Sequence, residues 1–297
     1  MAKFRIFNIQ LLPVSDEIRE VGNAGYKKLF ATLRDHNARQ IAQNRHADFH
    51  WKLHGDGLFG PKTFSFEAGY VYGEFQRYKK ATRVSDFKTE KTVLPTSRSA
   101  RQVQDRVNIP YIFDTKRHIF AISEDGLPKR HDAVKALKYL LDQVAVDTFP
   151  DHSLTISSVS THSGLDEVLQ QATGYKSAEL TLHFPNGGGS TGLLQDLKES
   201  HAETLEVTAK AAPNGEMPKL PQLVIELLQK TVTHGRGKIT YMVKDAQGKF
   251  KKRFFDTESK SQAFQVNKTA AEDEHTFFQR VKKKLDKQSL PDIEDAS

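Results

Sequence analysis

The length and composition of the chain define its broad class. Its 297 residues are 37% hydrophobic and 27% charged, enough apolar material to bury a core in one large domain or two ordinary ones. The absence of cysteine excludes a disulfide framework, a thiolate zinc site, an iron–sulfur cluster and a cysteine nucleophile. Lys and Arg number 44 against 37 Asp and Glu, giving a formal net charge of +7. This balance permits binding to a polyanion, and a solvated lysine-rich surface explains it equally well.

The N-terminal residues favour a cytoplasmic location. Charges are threaded between the apolar residues of segment 1–8, where a secretory signal needs an unbroken hydrophobic stretch. No later segment of the sequence has the run of apolar residues that crosses a membrane. We therefore expect a cytoplasmic protein with no membrane partner.

Strand and helix patterns follow one another in the first third of the chain. Alternating apolar residues predict a half-buried strand over residues 4–12, and helical spacing predicts an amphipathic helix over residues 26–33. Alternation returns over residues 48–54 and aromatic residues dominate 64–78, so both segments are predicted to be β structure. The polar segment 79–106 shows neither pattern and is predicted to be a long connection.

The rest of the chain alternates strands and helices. Two strand segments, 111–114 and 118–123, flank a short polar connection that suits a β-hairpin. Beyond them the patterns predict, in chain order, a helix after Pro128, a strand at 154–159, a helix at 165–172, a strand at 178–184, a helix at 193–200, a strand at 204–209, a helix from Pro221 to about Gly235, a hairpin of strands 239–244 and 249–256, and a final helix from Thr269.

These elements predict an α+β fold, in the sense of a mixed α/β arrangement. Helices are expected to cover a mixed, largely antiparallel sheet, with strand–helix alternation in the C-terminal half. We expect an N-terminal part over residues 1–107, with its long polar connection at 79–106, and a C-terminal α/β part over residues 108–288. The acidic residues 289–297 are predicted to form a frayed tail.

Segment 48–54 carries the residues best suited to chemistry. In a strand, Asp48, His50, Lys52 and His54 project from one face because alternate residues share a face. A metal-independent ribonuclease needs a base near neutrality, an acid for the leaving oxygen and a cation for the phosphate. His50, Lys52 and His54 are therefore the candidate catalytic residues. The alternative interpretation is a solvent-facing strand whose ionisable residues keep it soluble.

Three further patterns have features of known sites. His46, His50 and His54 have the spacing of metal ligands on a helix, but the apolar residues between them alternate as in a strand, so we predict no metal site. Arg39 and His46 have the spacing found in helical ribonuclease toxins, but their predicted surroundings differ. The glycine-rich segment 185–192 lacks the lysine of a phosphate-binding loop and is interpreted as a flexible connection, and no cofactor is predicted.

Two clusters of basic residues are candidate nucleic-acid-binding sites. Rings interleaved with cations suit single-stranded nucleic acid, because bases stack on the rings while phosphates contact the cations. Tyr78 lies in the first cluster, and Phe250, Phe254 and Phe255 lie in the second. Alternatively, the rings of the second cluster face the protein core, because they lie in a predicted strand. The predicted nucleic-acid-binding residues are Arg77, Lys79, Lys80 and Arg83 in the first cluster and Lys249, Lys251, Lys252 and Arg253 in the second.

A third basic run, at residues 280–284, belongs to the last predicted helix. Acidic residues at 272–274 precede it. This order of charges complements the helix dipole, so no ligand is needed to explain the run.

The order of these segments resembles that of a little-characterised family of bacterial proteins of unknown function. The resemblance lies in the opening strand 4–13, in the segments Asn108-Ile-Pro-Tyr-Ile-Phe-Asp and His118-Ile-Phe-Ala-Ile, in the strand end Leu182-His-Phe-Pro-Asn186 and in the late Gly237-Lys-Ile-Thr-Tyr hairpin. Residues 187–189 depart from the pattern. The resemblance implies a setting on variable bacterial islands linked to phage defence, and it implies no catalytic residues.

We expect a nucleic-acid-interacting component of a bacterial phage-defence or toxin–antitoxin-like system. It is predicted to bind RNA or single-stranded DNA through its basic, aromatic strands. One alternative is a metal-independent ribonuclease effector that uses His50, Lys52 and His54. The other is a protein–protein adaptor of a defence complex, whose sheet docks a co-encoded protein partner.

Overall fold

Helices and antiparallel strands alternate along the chain. The computed structural model describes residues 1–15, 17–80, 84–85, 92–94, 103–160, 162–183, 204–245, 247–257, 262–267 and 272–288. The described helices are α1 (Gly22–Ala42), α2 (His46–Phe49), α3 (Arg130–Thr148), α4 (His162–Gln171), α5 (Gln222–His234) and α6 (Glu274–Leu285). The described strands are β1 (Ala2–Pro13), β2 (Trp51–Lys52), β3 (Gly57–Glu67), β4 (Tyr70–Lys80), β5 (Val84–Ser85), β6 (Thr92–Leu94), β7 (Val103–Asp114), β8 (Ile119–Ser123), β9 (His152–Ser158), β10 (Gly174–His183), β11 (Thr204–Lys210), β12 (Gly235–Lys244), β13 (Phe250–Asp256) and β14 (Ala263–Val266).

Strand β1 is an interior strand of the larger sheet and pairs with three other strands. Its residues 4–8 pair with β8 along one edge. The other edge is shared by β14 at residues 2–5 and by β9 at residues 7–13. From β8 the sheet continues through β7, β4 and β3 to β2, and all of these pairs are antiparallel. The first strand of the chain therefore lies beside the last described one.

Helices cover both faces of β1. Phe7 and Ile9 pack with α1 and α3 in the main core, whereas Phe4 and Ile6 pack against α6 from the other side. Every residue from 4 to 12 is buried, so the prediction of a half-buried strand was wrong on this point. The cause is the C-terminal helix, which covers the face that would otherwise meet solvent.

A smaller sheet of four antiparallel strands has the order β11–β10–β12–β13. Leu165 of α4 and Leu228 of α5 pack on one of its faces, together with Ile239 and Phe255. Along β11 the side chains alternate between half-buried and exposed, as expected when only one face of a sheet is covered. Helices thus cover one face of the smaller sheet, and its other face meets solvent.

The structure confirms the α+β class and the antiparallel sheets. The predicted boundary between residues 107 and 108 falls inside β7, whose pairing with β4 keeps both sides of it in one sheet. Much of segment 79–106, and all of 185–192, 193–200 and 289–297, lie outside the described residues. None of the helices in the described ranges has the length and apolar character needed to cross a membrane.

Three local predictions needed correction. Residues 48–54 do not form a strand, because α2 ends at Phe49 and β2 has only two residues. The last helix begins at Glu274 instead of Thr269, and the side chain of Asp273 caps it by accepting a hydrogen bond from the backbone N–H of Thr276. Strand β14, which has only four residues, was not predicted.

Phe264 should be essential for the docking of β14. Its ring is 6% exposed and stacks on Phe4 at a centroid distance of 5.4 Å. Phe264→Ala would leave a cavity between β1 and α6, and we expect the free energy of unfolding to fall by about 3–4 kcal/mol in urea denaturation followed by circular dichroism. The control Phe250→Ala changes a ring that is 59% exposed and should shift it by less than about 0.5 kcal/mol. Equal losses in the two variants would contradict this role of β14.

Candidate nucleic-acid interface

Strands β12 and β13 form a hairpin at the edge of the smaller sheet. The carboxylate of Asp245 accepts hydrogen bonds from the backbone N–H groups of Gln247 and Lys249 in the turn, and it pairs with Lys251 at 3.1 Å. The N–H of Lys249 lowers the pKa of Asp245 most, followed by Lys251. The ionised carboxylate therefore holds the turn and fixes the start of β13.

Alternation along β13 directs its side chains to the two faces of the sheet. Phe255 is 4% exposed and joins the core beneath α4 and α5. Phe250 and Phe254 lie on the opposite face and are 59% and 73% exposed. Lys252 shares their face because it lies two residues from each of them. Two of the three predicted rings are therefore accessible to a ligand.

Each exposed ring has a lysine beside it. The Nζ of Lys244 lies 5.3 Å from the ring centroid of Phe250, and the Nζ of Lys252 lies 5.2 Å from that of Phe254. Lys244 was not among the predicted residues, although it ends β12 directly opposite Phe250. The signal that could have found it is the position of Lys244 at the end of the first predicted hairpin strand, next to the turn. The two rings and two ammonium groups form one surface, which we call the hairpin surface.

The other face of β13 carries further cations. Lys251 and Arg253 line a groove of about 610 Å³ between the hairpin and α4, and Phe254 also borders it. Lys251 and Lys252 are thus neighbours in sequence that lie on opposite faces. Lys249 is exposed and precedes the strand. The residues of the predicted second cluster therefore lie along one edge of the smaller sheet, but they are divided between its two faces.

The exposed rings are harder to explain structurally than the lysines. Lysines are common on edge strands, where they discourage pairing with other chains. Large apolar side chains at the same positions have the opposite effect. A purely protective role therefore accounts for Lys252 but not for Phe250 and Phe254.

The first basic cluster is arranged differently. Arg77 is exposed on β4, and Lys79 forms a salt bridge of 3.0 Å with Asp105. The side chain of Lys80 and the whole of Arg83 lie outside the described residues. The described part of this cluster therefore has one exposed cation, Arg77, and one, Lys79, that is paired within the protein.

The aromatic residue of the first cluster, Tyr78, is buried in a hydrogen-bond network around His50. The Nδ1 of His50 lies 2.8 Å from the Tyr78 hydroxyl, and its Nε2 lies 2.9 Å from the Oδ1 of Asn37. Because the Asn37 amide nitrogen donates to the carbonyl of Pro61, Oδ1 is an acceptor and Nε2 carries the proton. The Tyr78 hydroxyl then donates to Nδ1. A Cβ on Gly60 would lie 2.3 Å from the imidazole, so the ring fills this space completely.

The structure does not place the predicted catalytic residues on one face. His50 is 1% exposed, whereas Lys52 and His54 are exposed. Burial, together with the neighbouring His46, lowers the pKa of His50 to about 3. A neutral imidazole with both nitrogens engaged joins α1 to β4 and is poorly placed for proton transfer. The catalytic assignment stays a prediction without geometric support.

The remaining candidate patterns are also placed by the structure. The rings of His46 and His50 lie 6.0 Å apart. Across the described ranges, no three His, Asp or Glu side chains are grouped closely enough to hold a metal ion. Arg39 lies on the last turn of α1 and His46 begins α2, so both are helical, unlike the strand predicted around His46.

The fold and the hairpin surface together define an α+β protein with two large antiparallel sheets, with rings and cations presented at the edge of the smaller of these two. The chain belongs to the family described as Domain of unknown function (DUF4747), which matches residues 2–286. The match includes both large sheets and all the described helices. No curated protein matches the chain. Function therefore has to be inferred from the residues themselves.

Acid should destabilise the protein through His50. The folded state keeps this imidazole neutral down to about pH 3, whereas the unfolded chain protonates it near pH 6.5. Between pH 6.5 and about 3 the unfolded state thus binds more protons than the folded state. The free energy of unfolding therefore falls as the pH falls through this range, by up to about 1.4 kcal/mol per pH unit.

His50→Gln removes the titrating group and should flatten the pH dependence of the urea midpoint between pH 7 and 5. The exposed His54→Gln serves as the control and should keep the wild-type slope. A wild-type slope in His50→Gln would show that His50 is not held neutral.

Proposed function

We propose that the protein binds single-stranded nucleic acid, RNA or DNA, on the hairpin surface. The observation that carries this proposal is the pair of exposed rings, Phe250 and Phe254, each with a lysine ammonium close to its centroid. Bases stack on such rings regardless of sequence, and the neighbouring ammonium groups neutralise phosphates.

The spacing of the rings favours an extended single strand. Phe250 and Phe254 are four residues apart on one face of β13, which corresponds to about 13 Å. Successive bases in a stacked strand are only about 3.4 Å apart. The two rings would therefore stack non-adjacent bases of a strand that is extended along the hairpin. A duplex hides the faces of its bases and cannot use both rings.

The architecture around the rings supports the same function. A four-stranded sheet with helices on one face and base-stacking aromatics on the other is a recurrent arrangement in RNA-binding modules. The similarity concerns this arrangement alone and does not establish a shared ancestry. Arg253 would extend the path of the phosphates around the sheet edge into the groove beside α4, whereas Lys251 is already paired with Asp245.

Binding is a better supported activity than cleavage. His50 is buried with both ring nitrogens hydrogen-bonded, so no observation favours the ribonuclease alternative. The phage-defence setting rests on the family resemblance alone. The proposed binding does not depend on that setting.

Removing both rings should weaken binding strongly. Stacking contributes about 1–3 kcal/mol per base, so Phe250→Ala combined with Phe254→Ala should raise the Kd for a labelled 15-nucleotide oligo(U) or oligo(dT) by at least about tenfold in fluorescence anisotropy. The matched control combines Val146→Ala with Leu223→Ala, two apolar side chains that are 66% and 54% exposed elsewhere. Unchanged affinity in the ring variant, or no binding by the wild type at low salt, would contradict the proposal.

The lysines should set the salt dependence of binding. Replacing Lys244 and Lys252 with Gln removes two phosphate contacts, and the slope of log K against log salt should become shallower by about 1.4. Exposed lysines on α3 and α5 provide the control, in which Lys135→Gln and Lys230→Gln should leave the slope as it is. If the control pair flattens the slope equally, binding reflects overall charge instead of the hairpin surface.

A further inference from the structure

A second basic surface lies between the last helix and the edge of the larger sheet. A groove of about 540 Å³ has Arg280, Lys283, Lys284 and Lys287 on one side and residues 265–267 on the other. Met1, which is 79% exposed, also borders it. We call this the α6–β14 groove. The order of charges along α6 suits its dipole, but it does not explain why these cations line a groove.

The lysines of this groove are not neutralised by neighbours in the described ranges. Lys282, on the adjoining side of α6, lies 4.3 Å from the ring centroid of Tyr70. Lys283, Lys284 and Lys287, by contrast, form no salt bridge within the part of the chain that the structure describes. Like charges that converge without a counter-ion raise the local potential and attract an anionic ligand.

Arg280 is held in position at the base of the groove. It pairs with Glu272 and donates a hydrogen bond to the carbonyl of Asn267 at 2.6 Å. Its Nε is buried and has no hydrogen-bond partner among the described residues. The two contacts to Glu272 and Asn267 fix the positive charge of Arg280 at the groove.

The opposite wall of the groove is the edge of a sheet. Strand β14 pairs with β1 on one side, and it ends the strand order of the larger sheet among the described residues. An edge strand offers backbone N–H and C=O groups to any extended chain beside it. The four residues of β14 span about 13 Å, enough to pair with a short peptide segment.

We propose that the α6–β14 groove binds an extended acidic peptide from a protein partner. The peptide adds to the edge of β14, and its carboxylates contact Lys283, Lys284 and Lys287. The described residues that line the groove include no aromatic side chain on which a base could stack, which separates this surface from the hairpin surface. Met1, which is 79% exposed, supplies an apolar contact for an apolar side chain of such a peptide.

The test uses the full chain and a fluorescein-labelled eight-residue peptide of alternating Glu and Val, with a Gln and Val peptide for comparison. Lys283→Gln combined with Lys284→Gln should weaken binding of the acidic peptide by about tenfold in anisotropy, because two of the three lysine contacts are lost. Lys135→Gln with Lys230→Gln has the same change in charge and should bind normally. Bound peptide should also slow hydrogen exchange of the amides in β14.

Several results would overturn this inference. The acidic peptide could fail to bind, or the neutral peptide could bind with the same affinity as the acidic one. Alternatively, the control pair of substitutions could weaken binding as much as Lys283→Gln with Lys284→Gln, or the peptide could leave hydrogen exchange of the β14 amides unchanged. Displacement of the peptide by oligo(U) from a protein that carries Phe250→Ala and Phe254→Ala would show instead that the groove is a nucleic-acid site. The ring variant should bind the peptide like the wild type. Failure of the hairpin proposal would therefore appear in oligonucleotide binding, and failure of this proposal would appear in peptide binding.

Discussion

The backbone pairing of β1 is the constraint on which the rest of the structure depends. Three segments meet at Ile6: its N–H donates to the carbonyl of Gln262 at 3.1 Å, and its carbonyl accepts from the N–H of Val159 at 3.1 Å. Gln262 in turn donates to the carbonyl of Val159 at 2.7 Å. The strands β9 and β14 thus share one edge of β1, and their junction is closed by these three hydrogen bonds. Between them the chain leaves the larger sheet and returns to it.

The smaller sheet is therefore an insertion between two strands that lie end to end along one edge of β1. Ser160 leads into it and Thr257 leads out of it, and the hydroxyl of Ser160 donates to the carbonyl of Thr257. The N–H of Ser160 also donates to the carbonyl of Val232 at the end of α5. Both ends of the insertion are thus fixed at one point. The hairpin surface belongs to the insertion, and the α6–β14 groove belongs to the larger sheet.

Local patterns in the sequence predicted most strands and helices, because period-2 and period-3.6 burial leaves a clear signal in long elements. Residues 48–54 were wrongly predicted to form a strand, because a run of seven residues fits both the two-residue period of a strand and the 3.6-residue period of a helix. The boundary predicted after residue 107 falls inside β7, because the pairing of β4 with β7 joins distant segments and leaves no local pattern. On β13, alternation indicates that Phe250 and Phe254 share one face and that Phe255 lies on the other. It does not indicate which of the two faces packs on the core. Burial of His50 depends on Asn37 and Tyr78, which no short pattern connects to it.

The pairing of β1 with β14 has a consequence for the nascent chain. Phe4 and its partner Phe264 are about 260 residues apart, which a ribosome that adds about 5–20 residues per second covers in roughly 13–50 s. During translation, β8 and β9 become available long before β14, so the edge of β1 at residues 2–5 waits unpaired and able to pair with another chain. A chain that stops before residue 263 would therefore keep this edge of β1 open.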